Sequence, residues 1–122
     1  MGKIAKDEVR EDRINMEAIV DANGAEEQAI GWYYYLDDKI QFPFQAKCIA
    51  ASEVSPLKSG EIVRVTQMLS ADKCMHEMFV KIEWNGRTFG IPLAQIEAIN
   101  VDADTQEAIE DWQYWVARDY GF

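Results

Sequence analysis

The spacing of apolar residues changes twice along this chain of 122 residues. It is helical over 6–39, alternates over 43–101 and is helical again over 104–118. Helices at both ends with short strands between them predict an α+β fold. We expect a single domain over 1–122, built on a small, strongly bent antiparallel sheet or SH3-like barrel of about four or five strands, flanked by two N-terminal helices and one C-terminal helix.

Two helices are expected before the strands. The first runs from about 6 to 20 and the second from 25 to 39, before the Phe42-Pro43 step that disfavours helix. Apolar positions at steps of three and four predict a buried face on each helix. These predicted buried residues are Val9, Met16, Ile19 and Val20 in the first helix and Ala25, Ala29, Trp32, Tyr33 and Leu36 in the second.

Five short strands and a last helix are expected after Pro43. The predicted strands are 44–50, 61–68, 78–84, 87–91 and 96–101. Asn85-Gly86 predicts a tight hairpin, because both residues accept the positive φ that such a turn needs. In the last helix Asp104 is the expected N-cap, with Glu107 three residues later. Its predicted buried stripe is Ala108, Ile109, Trp112, Trp115 and Val116.

Acidic residues are concentrated in the helical ends of the chain. The net charge is −8 over 7–38 and −5 over 101–122, within a total of −10. Such a surface repels phosphate, so we expect neither nucleic acid nor an anionic membrane as partner. The apolar run Trp32–Leu36 is far shorter than the roughly 20 residues of a bilayer span. Because the N-terminus also lacks an export signal, we expect a cytoplasmic protein.

Enzyme chemistry finds little support in the sequence. His76 is the only histidine, so a nucleophilic Cys74-His76 pair, or a zinc site built on it, would lack further partners. The glycines match no phosphate-binding loop. Cys48 and Cys74 are expected to be small buried hydrophobes. We therefore predict that the protein is not an enzyme.

The abundant carboxylates favour a hard cation with oxygen ligands, and calcium is the natural candidate. Two EF-hand registers fail at the twelfth position, where a bidentate Glu is required, because Ile30 and Gln113 stand there. A calcium site must then combine oxygens from separate elements.

Asp37 and Asp38 are the most informative acids, because they fall in the last turn of the second helix. That end carries partial negative charge and unpaired carbonyls, so each Asp costs about 0.3–1 kcal/mol there. A bound cation would reverse the sign, whereas Lys39 offsets only part of the repulsion. The alternative is a solvated helix end.

Other acids are candidate ligands at different places. Glu26 and Glu27 lie about 16 Å from the Asp37-Asp38 end of the same helix, so they cannot share its ion. They form a second site with Asp21 and the Asn23 amide, or they only favour the helix N-terminus. Glu77 and Asp111 are the expected ligands from the strands and the last helix.

The string from Gly31 to Phe44, which includes Tyr-Tyr-Tyr-Leu-Asp-Asp-Lys, resembles the cyanobacterial calcium-binding protein family CcbP. Similar strings follow in the same order, so the resemblance covers about 13–122. They are Ser55-Pro56-Leu57-Lys58, Cys74 to Val80, Ile91-Pro92-Leu93 and Ala108 to Val116.

The resemblance implies a small acidic protein that binds Ca²⁺ without EF-hands and buffers it, a role tied in that family to heterocyst differentiation. Of the family's binding positions, it places one at Asp38. A protein regulator or a protease is a further expected partner. The competing interpretation is an acidic protein-interaction module that docks a basic partner without a specific metal site. The candidate metal ligands are therefore Asp38, Asp37, Asp111, Glu77, Glu26, Glu27 and Asp21.

Overall fold

The computed structural model describes residues 5–20, 22–49 and 58–120. A short π-helical segment, Ile14–Ala18, continues directly from the first helix. The helices are α1 (Glu8–Arg13), α2 (Ala25–Lys39) and α3 (Ala103–Ala117), and the strands are β1 (Phe44–Cys48), β2 (Ile62–Met68), β3 (Phe79–Trp84), β4 (Arg87–Pro92) and β5 (Ile96–Ile99). None of the helices in these ranges is long and apolar enough to cross a bilayer.

The five strands form one antiparallel sheet in the order β4-β3-β2-β1-β5. The sheet is not closed: in the described part of the chain, β4 and β5 are its edges. The predicted α+β class and antiparallel sheet are confirmed, and the barrel alternative is wrong. Pairing of β5 with β1 brings the segment that leads into α3 next to the strand that follows α2.

The predicted β3–β4 hairpin is confirmed at its turn. Asn85 has φ 52° and Gly86 has φ 75°, and Trp84 pairs with Arg87 across them. Both central residues therefore have the left-handed conformation that a two-residue hairpin loop requires.

The core lies against one face of this sheet. Alternate residues of β1 are buried, and the same face continues through β2 and β3. Helices α2 and α3 cover it with Trp32, Leu36 and Ile109, each at most 1% exposed. Both cysteines are buried, as predicted.

The apolar stripe predicted for the first helix is wrong except at Ile19, which is partly buried against the core. Val9 is 74% exposed and Met16 is 72% exposed, whereas Ile14 and Ala18 are buried. The helix widens to a π-turn at Ile14, which changes the phase of the side chains after it. No residue of α1 is buried, so polar contacts hold it instead.

The predicted N-cap of α3 is wrong, and so are two predicted buried positions, Ala25 in α2 and Val116 in α3, the second of which is 40% exposed. α3 begins at Ala103, and its N-cap is Asp102, which accepts from the Thr105 N–H at 3.0 Å. Asp104 is therefore inside the first turn and is not the cap. In α2 the inward face includes Tyr35, at 8% exposure, while Ala25 is exposed.

Gly31 marks a close approach between α2 and the π-helical segment. A Cβ built at this position would lie 2.3 Å from the Ala18 carbonyl oxygen, a backbone atom. Only glycine permits this packing distance.

We predict that Gly31→Ala destabilises the fold by about 2–3 kcal/mol, although alanine is the better helix former, because the helices must separate. Urea denaturation measures the change. Gly24→Ala is the control, since a Cβ there meets nothing within 4 Å, and it should cost less than about 1 kcal/mol. A neutral or stabilising Gly31→Ala would contradict the packing described here.

Candidate metal centre

The C-terminal end of α2 presents Asp37 and Asp38 to solvent. Both side chains are exposed, and they line an open depression together with Glu17 and Tyr34. The close contact at Gly31 places the π-helical segment beside α2, and Glu17 of that segment lines the same depression as the two acids. Three carboxylates from two elements thus border one surface depression.

Backbone carbonyls add oxygen atoms at the same place. The Ile40 N–H donates to the Leu36 carbonyl at 3.0 Å, but the next amide, of Gln41, donates instead to Thr105 Oγ1 at 2.9 Å. It is thereby turned away from the carbonyl of Asp37. Pro43, four residues after Lys39, has no N–H to offer. The helix end therefore combines exposed carboxylates with carbonyls that lack their helical donors, which is a hard-cation ligand set.

Asp111 lies elsewhere, in the interface of all three helices, and is completely buried. Its Oδ1 accepts from Arg10 Nη1 and Arg13 Nη2, each at 2.7 Å. Its Oδ2 accepts from Arg13 Nε at 3.0 Å and from Tyr35 Oη at 2.7 Å. Both oxygens are thus engaged by cationic or hydroxyl donors. Calcium could bind Asp111 only by displacing these donors, so Asp111 is placed as an ion-pair partner of the helices. The structure does not bring Asp111 together with Asp37 and Asp38.

Lys39 connects this interface to the depression. Its ammonium donates to Glu107 Oε1 at 2.5 Å and to Tyr35 Oη at 3.1 Å. Burial alone lowers the pKa of Lys39, but the hydrogen bonds to Glu107 and Tyr35 raise it above its ordinary value. Glu107 also faces Arg13 Nε at 3.4 Å. Glu107, predicted to complete a capping box, is instead an ion-pair partner.

The acids at the N-terminal end of α2 are not assembled into a site. Glu26 and Glu27 are exposed, and Glu27 Oε1 accepts from the Asn23 N–H at 3.4 Å. The helix dipole is positive here, so it favours carboxylates and opposes a bound cation. Their position supports the alternative in which they stabilise the helix start. Asp21 lies outside the described residues.

Glu77 lies in a different depression, with His76, Trp115 and Asp119. It is half-buried, and burial raises the pKa of its carboxyl. It does not border the depression that holds Asp37 and Asp38. Cys74 is buried whereas His76 is exposed, so they do not share the strand face that a Cys-His pair would need.

Over residues 5–20, 22–49 and 58–120, no three His, Cys, Asp or Glu side chains are grouped closely enough to hold a metal ion by themselves. At the C-terminal end of α2, the oxygen ligands available to a cation are therefore the carboxylates, the backbone carbonyls and water. Sequence reasoning missed Glu17 at this place. The glycine within α2 was the available sign, because a mid-helix glycine often marks a close neighbour.

Comparison with known proteins identifies the family. The model of the CcbP family, described as calcium binding, matches residues 12–116. The chain belongs to the CcbP family of calcium-binding proteins. The crystal structure of Anabaena CcbP is similar at 46% identity and a TM-score of 0.89, with all of both chains covered. A calcium-binding protein in its calcium-binding form is similar at 45% identity and a TM-score of 0.87, again with all of both chains covered. No curated protein matches the chain.

The expected resemblance to CcbP is thus confirmed over most of the chain, and calcium is confirmed as the family's ligand. The family is one of calcium-binding proteins and not of enzymes. The seven candidate ligand positions stay predictions.

We predict that Asp111→Asn lowers the free energy of unfolding of this CcbP-family chain by roughly 3 kcal/mol, because it leaves Arg10 and Arg13 without their buried counter-charge. Thermal and urea unfolding measure the loss. The exposed Asp104→Asn, in the first turn of the same helix, should cost at most about 1 kcal/mol. Equal losses in the two variants would rule out a special role for the buried carboxylate.

Tyr35 makes the same interface sensitive to alkali. Burial, followed by the hydrogen bond to Asp111, raises the pKa of Tyr35 from 10.0 to about 12. A raised phenol pKa adds stability below pH 10 that is lost as pH rises towards 12. Between pH 9 and 11 the wild type should therefore lose about 1 kcal/mol more than Tyr35→Phe in urea denaturation. Parallel pH profiles for the two proteins would contradict this assignment.

Proposed function

We propose that the protein is a calcium buffer whose ion binds at the C-terminal end of α2, with Asp38 and Asp37 as carboxylate ligands. The observation that carries this proposal is the pair of exposed acids at the negative end of a helix dipole. Without a cation the arrangement is unfavourable, and with one it supplies several oxygens at once. Backbone carbonyls and water complete the coordination, with Glu17 acting through water.

The proposed site is not an EF-hand. Its oxygens come from the end of one helix and from the segment packed against Gly31, whereas an EF-hand loop supplies its ligands from 12 consecutive residues. Carboxylates, carbonyls and water provide the six to eight oxygens that calcium accepts in flexible geometry. Magnesium demands a near-ideal octahedron, so this open arrangement favours calcium.

Calcium binding should also tighten the fold. Clustered acids within a Debye length of about 8 Å repel one another until a divalent ion neutralises them. A ligand that binds only the native state adds RT ln(1 + [Ca²⁺]/Kd) to its stability. The buffer we propose acts in the cytoplasm, in calcium sequestration linked to heterocyst differentiation, with release controlled by a protein regulator or a protease.

The decisive experiment is isothermal titration with CaCl₂ and then MgCl₂ in about 0.15 M salt, which screens a merely acidic surface. We expect Asp38→Asn to weaken calcium binding by about tenfold or more, because it removes an anionic ligand. Glu26→Gln is the matched control, since it removes one negative charge from the opposite end of α2, and it should change the affinity less than about twofold.

Equal effects of Asp38→Asn and Glu26→Gln, or equal responses to calcium and magnesium, would refute a coordinated site at this helix end. An unchanged isotherm in Asp38→Asn would place calcium elsewhere on the chain.

A second candidate function, an acidic module that docks a basic protein, is favoured by one observation. Val20 and Tyr34, 53% and 62% exposed, line the same depression as the acids. Apolar side chains beside carboxylates suit a basic segment with an apolar anchor. This alternative predicts a response to calcium that disappears in about 0.15 M salt.

A further inference from the structure

Lys39 is the residue that most directly opposes calcium at the proposed site. It follows Asp38 in the chain and lines the same depression as Asp37 and Asp38. The lysine ammonium is a compact charge on a flexible stem of four carbons. If it were free, it would pair with these carboxylates and repel a divalent cation bound by them.

The structure holds this ammonium elsewhere. Lys39 Nζ lies 2.5 Å from Glu107 Oε1 on α3 and 3.1 Å from Tyr35 Oη, and it sits 5.0 Å from the centroid of the Tyr35 ring. The Lys39 side chain is only 17% exposed, although its neighbours Asp37 and Asp38 are exposed. Two acceptors and one aromatic ring therefore fix the charge on the side of α2 that faces α3.

We propose that Glu107 and Tyr35 form a latch that keeps Lys39 away from calcium at Asp37 and Asp38, so that Glu107 is a positioning residue for the site. This inference rests on the proposed function. The latch sets the calcium affinity without contributing a ligand, because releasing it adds a competing positive charge at the site. Since Glu107 belongs to α3, the affinity also depends on how α2 and α3 pack together.

Glu110 supplies a matched control on the same helix. Its side chain is 46% exposed and that of Glu107 is 39% exposed. Glu110 accepts from Gln106 Nε2 at 2.7 Å and faces Arg10 Nη2 at 3.6 Å. Glu107→Gln and Glu110→Gln thus remove the same charge from α3, but only the first releases Lys39.

The experiment measures calcium affinity by isothermal titration on the full chain for Glu107→Gln, Glu110→Gln, Lys39→Met and the double variant Lys39→Met/Glu107→Gln. Glu107→Gln should weaken binding by about threefold to tenfold, and Glu110→Gln by less than about twofold. Lys39→Met should tighten binding by about threefold, since it deletes the repelling charge. In the Lys39→Met background, Glu107→Gln should have almost no effect on affinity.

Tyr35→Phe gives a second route to the same latch, because it removes one acceptor of Lys39 and leaves every charge in place. It should weaken calcium binding in the wild type and not in Lys39→Met. Urea denaturation of each variant verifies that the titrated protein is folded.

The latch is overturned if Glu107→Gln and Glu110→Gln weaken binding equally, or if the loss caused by Glu107→Gln persists in Lys39→Met. Its failure is separable from that of the proposed function. Loss of affinity in Asp38→Asn with no coupling between Lys39 and Glu107 removes the latch alone, whereas an unaffected Asp38→Asn removes the site itself.

Discussion

The arrangement of the three helices depends on the ion pairs and hydrogen bonds that the buried carboxylate of Asp111 accepts. This carboxylate belongs to α3 and accepts hydrogen bonds from Arg10 of α1, from Arg13 just before the π-helical segment and from Tyr35 of α2. A charge with no exposure to water would be very costly alone, and here two guanidinium groups and a phenol satisfy it. α1 buries no apolar residue, so these polar contacts attach it to the other helices, whereas α2 and α3 are attached through their buried apolar faces.

Two sets of acidic residues have different physical roles. On the α1–α3 side, Asp111, Glu107 and Glu11 are paired with arginine, lysine or tyrosine, so their charge serves folding. The hydrogen bond from Tyr114 Oη lowers the pKa of Glu11, as expected for a carboxylate whose charged form is stabilised. At the far end of α2, Asp37 and Asp38 remain exposed. Asp37 and Asp38 differ from the other exposed acids because they lie where the helix end itself adds carbonyl oxygens.

The parts of the structure that local rules govern could be predicted from sequence, and the parts that distant contacts govern could not. Asn85-Gly86 defines its own turn geometry, and Trp32 and Leu36 lie at helical spacing, so the hairpin and most of the α2 face were predicted. The exposed Met16 was missed because the π-turn that begins at Ile14 shifts the phase of the helix. The cap at Asp102 was missed although it is local, because both Asp102 and Asp104 are suitable capping residues and Thr105 bonds the first of them. Asp111 was predicted to be a metal ligand supplied by the last helix. Its partners, however, are separated from it by 76 to 101 positions in the chain, and no pattern of spacing identifies them.

In the described residues, the proposed calcium site has no grouped set of three acidic, histidine or cysteine side chains, so it is not a preformed cage. A preassembled cluster of carboxylates would repel itself strongly in the metal-free state, and that repulsion would be subtracted from the stability of the fold. Two adjacent acids on one helix end, with Glu17 nearby and carbonyls and water as neutral ligands, limit the repulsion while leaving enough oxygens for calcium. The same openness makes the site dependent on nearby charges. An ammonium one residue away opposes a cation at the proposed site, which is why the position of Lys39 contributes to the calcium affinity that we propose.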